Sequence, residues 1–578
     1  MYKYKLNELR FCDDKIINPG RLTIIVGANN SGKSKALKDI ASQATDPLKA
    51  SSVIVKEINF TVPSNLDELR EAYKLEPYVD ENKNVFLRYL SSNLTTEYSL
   101  GVGPGWEDQL DRSLKASNEH SRALFANWIG NYFISLFSTE DRLKIAKSAE
   151  SSPRGITTHL LQALYNDGIE TEAKVREIVK KAFQKDIRLD FSSLRTLLFR
   201  VADDLSNVPA DPREAATIYD HIEKLDDQGD GIRSFVATVL AILVGSRPVL
   251  LLDEPEAFLH PPQAFRLGEV VAQNLHPDRQ VIVATHSAEF LRGVLSQTQE
   301  VSILRLVRTN TKTSVNVLDS AGIARLANDP LLSSSRVLDG LFYNGAIVVE
   351  ADADAVFYQR VGRQLSGADN FHLVHAHNKQ TVAKVLQPYQ TLGVKHAAIV
   401  DFDVIRVKDE FQSLLKELGF TQVERDGILT LRQSIIAEVE KKDANQFLQA
   451  TIDKLQSAIG AAAESADPDS ALASLMSELK RIRESGSAWY PYKKRGREAL
   501  NTENQAVFDK LSQACSQRGL FIVPVGELEG WLEDYGVQHT SNKSKWIVNA
   551  LKAMPSLHVD QTLRPWSFVK KVFLFLND

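Results

Sequence analysis

The residues of this chain whose types and spacing could do chemistry fall into two groups. The first begins with Gly27-Ala-Asn-Asn-Ser-Gly32-Lys33-Ser34, which fits GxxxxGK[ST]. Such a loop turns the backbone N–H groups of Gly27, Asn29, Asn30, Ser31 and Gly32 toward phosphate oxygens. Lys33 would then reach the β and γ oxygens, and Ser34 would ligate Mg²⁺. Farther on, Asp253-Glu254 ends "PVLLLDE" and Thr285-His286 ends "QVIVATH". Asp253 would hold magnesium through water, Glu254 would polarise a water for attack on a γ-phosphate, and His286 sits where a γ-phosphate-sensing histidine would. The chemistry implied is ATP hydrolysis.

The second group is acidic. Glu350, Asp352 and Asp354 follow the apolar run "GAIVV", Asp401-Phe402-Asp403 follows "HAAIV", and Glu527 and Glu529 follow "LFIVPVG". Unpaired carboxylates are costly to bury, so acids at strand ends need solvent, a cationic partner, a helix N-terminus or a metal ion. A helix-start role accounts for Asp352 and Asp354 taken alone. It does not account for the other two pairs, and repeated acids at the carboxyl ends of strands mark where α/β sheets bind ligands. Oxygen ligands of this kind suit Mg²⁺ or Mn²⁺ better than zinc. A basic tract, "WYPYKKRGR", sets Lys493, Lys494, Arg495 and Arg497 beside aromatics. It suits phosphate contacts and base stacking, and equally a solvated loop.

The elements that must position these residues can be read from periodicity. Leu22 to Val26 predicts a buried strand, and Leu37, Ile40 and Ala41 share one face of a following helix. Gly229-Asp230-Gly231 opens an apolar helix ending near Gly245, and its N-terminus is suited to an anion. Ser42 to Asp227 is too long for a plain connection. Helical spacing in "HSRALFANWIGNYFISLF" and "LRTLLFRVADDLSNV" predicts a mainly helical inserted arm over about 45–225, for dimerisation, partner contact or scaffolding alone. Glu350 and Asp354 are one helical turn apart. Strand alternation predicts that Asp401 and Asp403 point to one side. Ile452, Leu455, Ile459 and then Leu472, Leu475, Leu479 predict a helical hairpin about "ESADPDS", within a helical insertion spanning about 405–518.

At 578 residues the chain exceeds a single core, and about three or four structural units are expected. The 69 basic and 74 acidic residues leave a net charge of −5, which excludes a uniformly basic nucleic-acid coat but not a local groove. Cys12 and Cys515 form no metal or disulfide pattern. With no signal-like apolar core in "MYKYKLNELRFCDD" and no membrane-length apolar run, a cytoplasmic location without membrane contact is expected.

The order of the phosphate loop, the Gly229 helix, "DEPEAFLHP" and the His286 strand resembles ABC-type ATPases of the SMC, RecF and Rad50 kind, with Gly229 to Ser234 in place of the signature. Glu350 followed by Asp401-x-Asp403 resembles the Toprim domain, and the two together resemble the OLD (overcoming lysogenization defect) family of nucleases. The resemblance implies an α/β architecture: an ABC-type P-loop ATPase domain over 1–335, then a Toprim-like domain over 340–578, each with a helical insertion. It implies ATP and Mg²⁺ or Mn²⁺ as cofactors, and a metal set of Ser34 and Asp253 in the first domain. In the second domain the implied metal set is Glu350, Asp354, Asp401, Asp403 and Glu529. Ala351 and Asp354 depart from the family's VEGxxE. The resemblance also implies a catalytic lysine, for which "SNKSKW" offers Lys545 first and Lys543 second. Two-metal cleavage of DNA, a homodimer or higher oligomer completed by Gly229 and Gly231 of another copy, and an anti-phage role with a partner encoded nearby are its remaining implications. The alternative is a RecF- or SMC-like ATPase that binds or senses DNA without cutting it.

Overall fold

Five consecutive apolar residues, Leu22 to Val26, are all buried, as a strand covered on both faces requires. In the computed structural model this strand lies inside a six-stranded sheet. Described are all residues except 1, 74, 80–84, 90–99, 102–104, 117, 153–156, 158, 310–311, 319, 330–331, 333, 366–369, 441–443, 465–466, 486–487, 541–542 and 578. The chain forms two units, Met1–Phe342 with Thr391–Gly393, and Tyr343–Gln390 with Val394–Asp578.

The central sheet of the first unit contains β1 (Leu22–Val26), β2 (Ile134–Phe137), β3 (Val249–Asp253), β4 (Gln280–Ala284), β5 (Ser302–Thr309) and β6 (Lys312–Leu318), in the order β6-β5-β1-β4-β3-β2. All pairings are parallel except the β5–β6 hairpin. Ala284 pairs with Asp253 on one side and Ile25 on the other, so the three chemistry-bearing strands end level. That register brings the phosphate loop, Asp253-Glu254 and Thr285-His286 to one carboxyl edge. Helix α1 (Lys33–Thr45) follows the loop, α2 (Thr139–Ile145) follows β2, and α3 (Asp230–Leu243) buries Phe235, Val236, Val239 and Leu240.

The expected helical arm over 45–225 is mixed. Val55–Phe60 pairs with Leu6–Phe11 in an antiparallel sheet, Ile134–Phe137 is the edge strand of the central sheet, and Thr196–Ala202 pairs with Asp186–Asp190. The runs misread as helix, "YFISLF" and "LRTLLFRVA", are short and apolar on both faces. Periodicity cannot separate strand from helix there, and pairing partners distant in the chain decide it.

The second unit is built on a four-stranded parallel sheet, β7 (Gly345–Val349), β8 (Phe371–His375), β9 (Lys395–Val400) and β10 (Leu520–Ile522), in the order β8-β7-β9-β10. Val349 pairs with Ile399 and Val400 with Ile522, so the acids beyond β7, β9 and β10 leave one edge. Helix α4 (Asp352–Leu365) packs its Phe357 and Tyr358 into a core with Trp531, Trp546 and Trp566. From β9 to β10 the described chain is helical. It includes α5 (Ala444–Ala463) and α6 (Pro468–Ser485), which pack together as a hairpin, and α7 (Tyr490–Arg495). The turn predicted between α5 and α6 includes 465–466, outside the described residues. Helix α8 (Lys543–Ala553) follows beyond β10.

Strand alternation does not extend through Asp401-Phe402-Asp403. The strand β9 stops at Val400, Asp401 caps a 3-10 turn over Phe402–Arg406, and the fully buried Phe402 packs inward. The two aspartates are therefore placed by a turn, with Asp401 buried and Asp403 half-buried.

Candidate nucleotide site and carboxylate cluster

In the first unit the phosphate loop depends on two glycines. Gly27 has φ +147 and a Cβ there would stand 2.5 Å from the Leu306 carbonyl oxygen, while Gly32 has φ +101 and leads into α1. Lys33 is buried and donates to the carbonyls of Gly27 (2.9 Å) and Ala28 (3.1 Å), so its ammonium is held inside the loop. Burial lowers its pKa, against the pull of Glu254, Glu256 and Asp253. Ser34 Oγ donates to Asp253 Oδ1 at 2.8 Å, which joins the two sequence-predicted magnesium ligands directly. Ser31 is buried, and its hydroxyl has no hydrogen-bond partner among the described residues. Asn29 and Asn30 are exposed, with Asn30 at φ +63.

Glu254 lies in the left-handed region at φ +47. Its N–H donates to the Ala284 carbonyl at 2.8 Å, and its Oε1 is 3.2 Å from His286 Nδ1. The hydrogen bond from His286 lowers the Glu254 pKa and raises that of the histidine. Glu256, buried, accepts from Thr285 Oγ1 (2.7 Å) and the His286 N–H (3.1 Å) and so sets the backbone from which the histidine projects. Its signal was present in "DEPE", two residues beyond Glu254.

Arg142 on α2 had no sequence signal. It is 0% exposed, and its guanidinium donates to the carbonyls of Asp253 (2.6 Å), Glu254 (2.7 Å) and Phe137 (3.2 Å), to Thr139 Oγ1 (3.2 Å) and to Ser234 Oγ (3.0 Å). One side chain thus ties the turn carrying Asp253-Glu254 to helix α3. Gly229 caps α3 and Gly231 lies in its first turn, and Ser234, one turn on, is the residue of that helix bound by Arg142.

In the second unit Lys543 stands among the acids. Its Nζ is 3.2 Å from Asp401 Oδ2 and 3.5 Å from Asp354 Oδ1. Glu350 accepts from the Asp401 N–H at 3.0 Å, and Asp354 Oδ2 accepts from the Ala351 N–H at 2.9 Å. Burial raises the pKa of Glu350 to about 7 and raises those of Asp354 and Asp401. Burial alone would lower that of Lys543, but Asp401, Asp354, Glu529 and Glu350 reverse the shift and hold it charged. Lys545, the first choice from sequence, is exposed: it lies two residues along α8, about 200° around the helix from Lys543. Asp403 pairs with Lys379 at 3.4 Å. Asp352 is exposed at the start of α4, 3.8 Å from His375, in keeping with a helix-start acid.

Glu529 is buried beside Glu527, whose carboxylate accepts from His539 Nε2 at 3.0 Å and lies 3.4 Å from Lys493. The basic tract is largely engaged within the unit. Arg497 makes a two-pronged pair with Asp509 (2.7 and 2.8 Å), Lys493 faces Glu527, and Tyr492 is buried against Glu438; Lys494 is half-buried and Arg495 is exposed. The donor set of this unit suits a hard divalent ion: Asp354 Oδ1 and Glu529 Oε2 are buried without a hydrogen bond among the described residues. Among those residues no helix is long and apolar enough to cross a membrane.

Residues 22–292 match the family described as "AAA domain, putative AbiEii toxin, Type IV TA system". The first unit is an ATP-binding domain of the ATPase type. Its phosphate loop, the Ser34–Asp253 contact and the Glu254–His286 pair all lie inside that match. Among solved structures, an SMC head bound to the C-terminal winged-helix domain of ScpA is 15% identical, with 55% of this chain and 98% of that one covered and a TM-score of 0.33. The SMC head domain from Thermotoga maritima is 14% identical (55% and 100% covered, TM-score 0.30). An SMC head with an extended coiled coil bound to the C-terminal domain of ScpA, from Pyrococcus furiosus, is 14% identical (56% and 98% covered, TM-score 0.33). No curated protein matches the chain.

Proposed function

We propose that this protein is an ATP-regulated, divalent-metal-dependent DNA endonuclease of the OLD type, its first unit the nucleotide engine and its second a Toprim-like nuclease. The observation that carries the reading is Lys543 held between Asp354 and Asp401, with Glu350 bonded to the Asp401 backbone, at the carboxyl edge of a parallel sheet. In the ATPase unit Lys33 leaves the Gly27 and Ala28 carbonyls for phosphate oxygens, Ser34 and Asp253 hold Mg²⁺, Glu254 orients water and His286 senses the γ-phosphate. In the second unit Glu350, Asp354, Asp401, Asp403 and Glu529 hold Mg²⁺ or Mn²⁺. The bound ions supply an activated water and countercharge for the leaving oxygen. Lys543 neutralises charge that develops on the scissile phosphate. Lys494 and Arg495 contact the DNA backbone, joined by Lys493 and Arg497 once released from their acidic partners. Gly229 and Gly231 cap the nucleotide of a second copy, so a homodimer or larger assembly hydrolyses ATP. The description matched by residues 22–292 names a toxin, which supports an effector role in anti-phage defence alongside a partner encoded nearby.

A second reading is favoured by the lysines. Lys379, Lys493 and Lys543 already pair with Asp403, Glu527 and Asp401, as in a structural ion-pair cluster of a DNA-binding ATPase that does not cut. Wild type, Lys33→Ala, Glu254→Gln and Asp401→Ala decide between the two when assayed for ATP hydrolysis and for plasmid cleavage with Mg²⁺ or Mn²⁺. The nuclease reading expects Asp401→Ala to hydrolyse ATP but not cut. A wild type that hydrolyses ATP and cuts no DNA with either metal leaves the second reading standing.

A further inference from the structure

Beyond the cluster around Lys543, a set of ligands of different chemistry closes the loop after β10. Glu527, Glu529 and His539 each offer one ligand atom, and these atoms lie within 4.8 Å of one another. Bonds of about 2.0–2.2 Å to one ion require ligand atoms roughly 3–4.4 Å apart, so the three need only small side-chain rotations to share an ion. Glu529 is 2% exposed, and its Oε2 has no hydrogen-bond partner among the described residues. A carboxylate oxygen that is buried and unpartnered is costly unless a cation or a proton meets it. His539 Nε2 pairs with Glu527 Oε1 at 3.0 Å, a contact a shared ion would replace, and Glu527 Oε2 faces Lys493 at 3.4 Å.

We propose that Glu527, Glu529 and His539 bind a divalent transition-metal ion, with Mn²⁺ or Zn²⁺ preferred to Mg²⁺. The preference follows from the imidazole: a nitrogen ligand suits first-row transition metals, whereas magnesium selects oxygen. The inference deepens the metal-centre reading of the second unit and rests on it, assigning one ion of that centre to a nitrogen-containing site.

The test uses the full chain loaded with Mn²⁺ alone and read by pulsed EPR, which detects the ¹⁴N nucleus of a directly bound imidazole. Wild type is expected to show this coupling, and His539→Ala to lose it, with Mn²⁺ binding weakened at least tenfold in a calorimetric titration. Glu527→Gln keeps the imidazole and should retain the coupling with weaker binding, which guards against a folding defect in the alanine variant. Asp401→Asn, which leaves these three residues intact, should keep the coupling. Wild type without ¹⁴N coupling at saturating Mn²⁺, coupling that survives in His539→Ala, or Mg²⁺ bound as tightly as Mn²⁺ overturns the assignment. Cleavage of DNA by a protein without the coupling would sink this inference and spare the nuclease reading. Coupling in a protein that cuts nothing would do the reverse.

Discussion

Replacing Arg142 by methionine tests whether one buried guanidinium holds the Asp253-Glu254 turn of the first unit. Its five contacts join Phe137, Thr139, Ser234, Asp253 and Glu254. Methionine fills much of the volume but donates nothing, so the carbonyls of Phe137, Asp253 and Glu254 lose this donor. The Glu254 carbonyl keeps the Ala257 N–H at 2.9 Å; an unsatisfied buried carbonyl costs roughly 1–3 kcal/mol, which sets an upper bound near 6 kcal/mol for the other two. Two effects reduce it. Burial already lowers the Arg142 pKa, so desolvation of the charge is recovered on its removal, and part of the turn can relax toward water. A loss of about 3–5 kcal/mol remains, comparable to breaking other buried charged networks. Glu254 at φ +47 is held by its N–H on Ala284 and by its carbonyl, which accepts from both Arg142 and the Ala257 N–H. Without the Arg142 tie, the turn relaxes toward ordinary backbone and carries the carboxylate with it. A displacement of about 1 Å at a reacting group costs on the order of 10²-fold in turnover. Urea unfolding of the first unit and steady-state ATP hydrolysis measure both quantities, with kcat expected to fall far more than KM changes, because Lys33 and the phosphate loop are untouched. Arg142→Lys keeps the charge but loses the planar fork and should fall between the two. An Arg142→Met protein within about 1 kcal/mol of wild type and of unchanged kcat would refute the reasoning.

Two further outcomes are expected. Lys543→Met should lower plasmid cleavage by about 10²-fold or more with ATP hydrolysis intact, while Lys545→Met should leave both within about twofold; equal losses from the two would place the lysine's role elsewhere. In metal-free protein, Glu350 is protonated in the folded state up to about pH 7 but in the unfolded state only below its ordinary value of 4.5. The folded state binds more protons across that window, so its stability falls as pH rises from about 4.5 to about 7, by up to about 3 kcal/mol from this group. Tryptophan-monitored unfolding in chelator should show that slope in wild type and a shallower one in Glu350→Gln; a wild-type slope no steeper than the variant's contradicts the assignment.

Residues adjacent in sequence were legible because their chemistry is local. A phosphate loop needs its glycines, lysine and serine at fixed spacing after a buried strand, and Gly27 to Ser34 stand so. The acids Asp253-Glu254, Glu350 and Asp401 follow apolar runs that form β3, β7 and β9, and such runs are readable wherever a strand is buried on both faces. Reading failed where a long-range partner chooses between two local solutions. "LRTLLFRVA" became a strand because Asp186–Asp190 pairs with it, and Asp403 left the strand's alternation because Phe402 turned into the core.

By itself, then, the sequence determined a phosphate-loop unit followed by a second α/β unit with acids at its strand ends, since residue type and short-range periodicity encode those features. Only the tertiary structure decided which cations meet which acids. Arg142 reaches Glu254 across 112 positions and Lys543 reaches Asp401 across 142, and which of Lys543 and Lys545 faces inward depends on how α8 seats Trp546 in the core. Contacts over such separations are set by packing of whole elements, for which no local spacing is a guide.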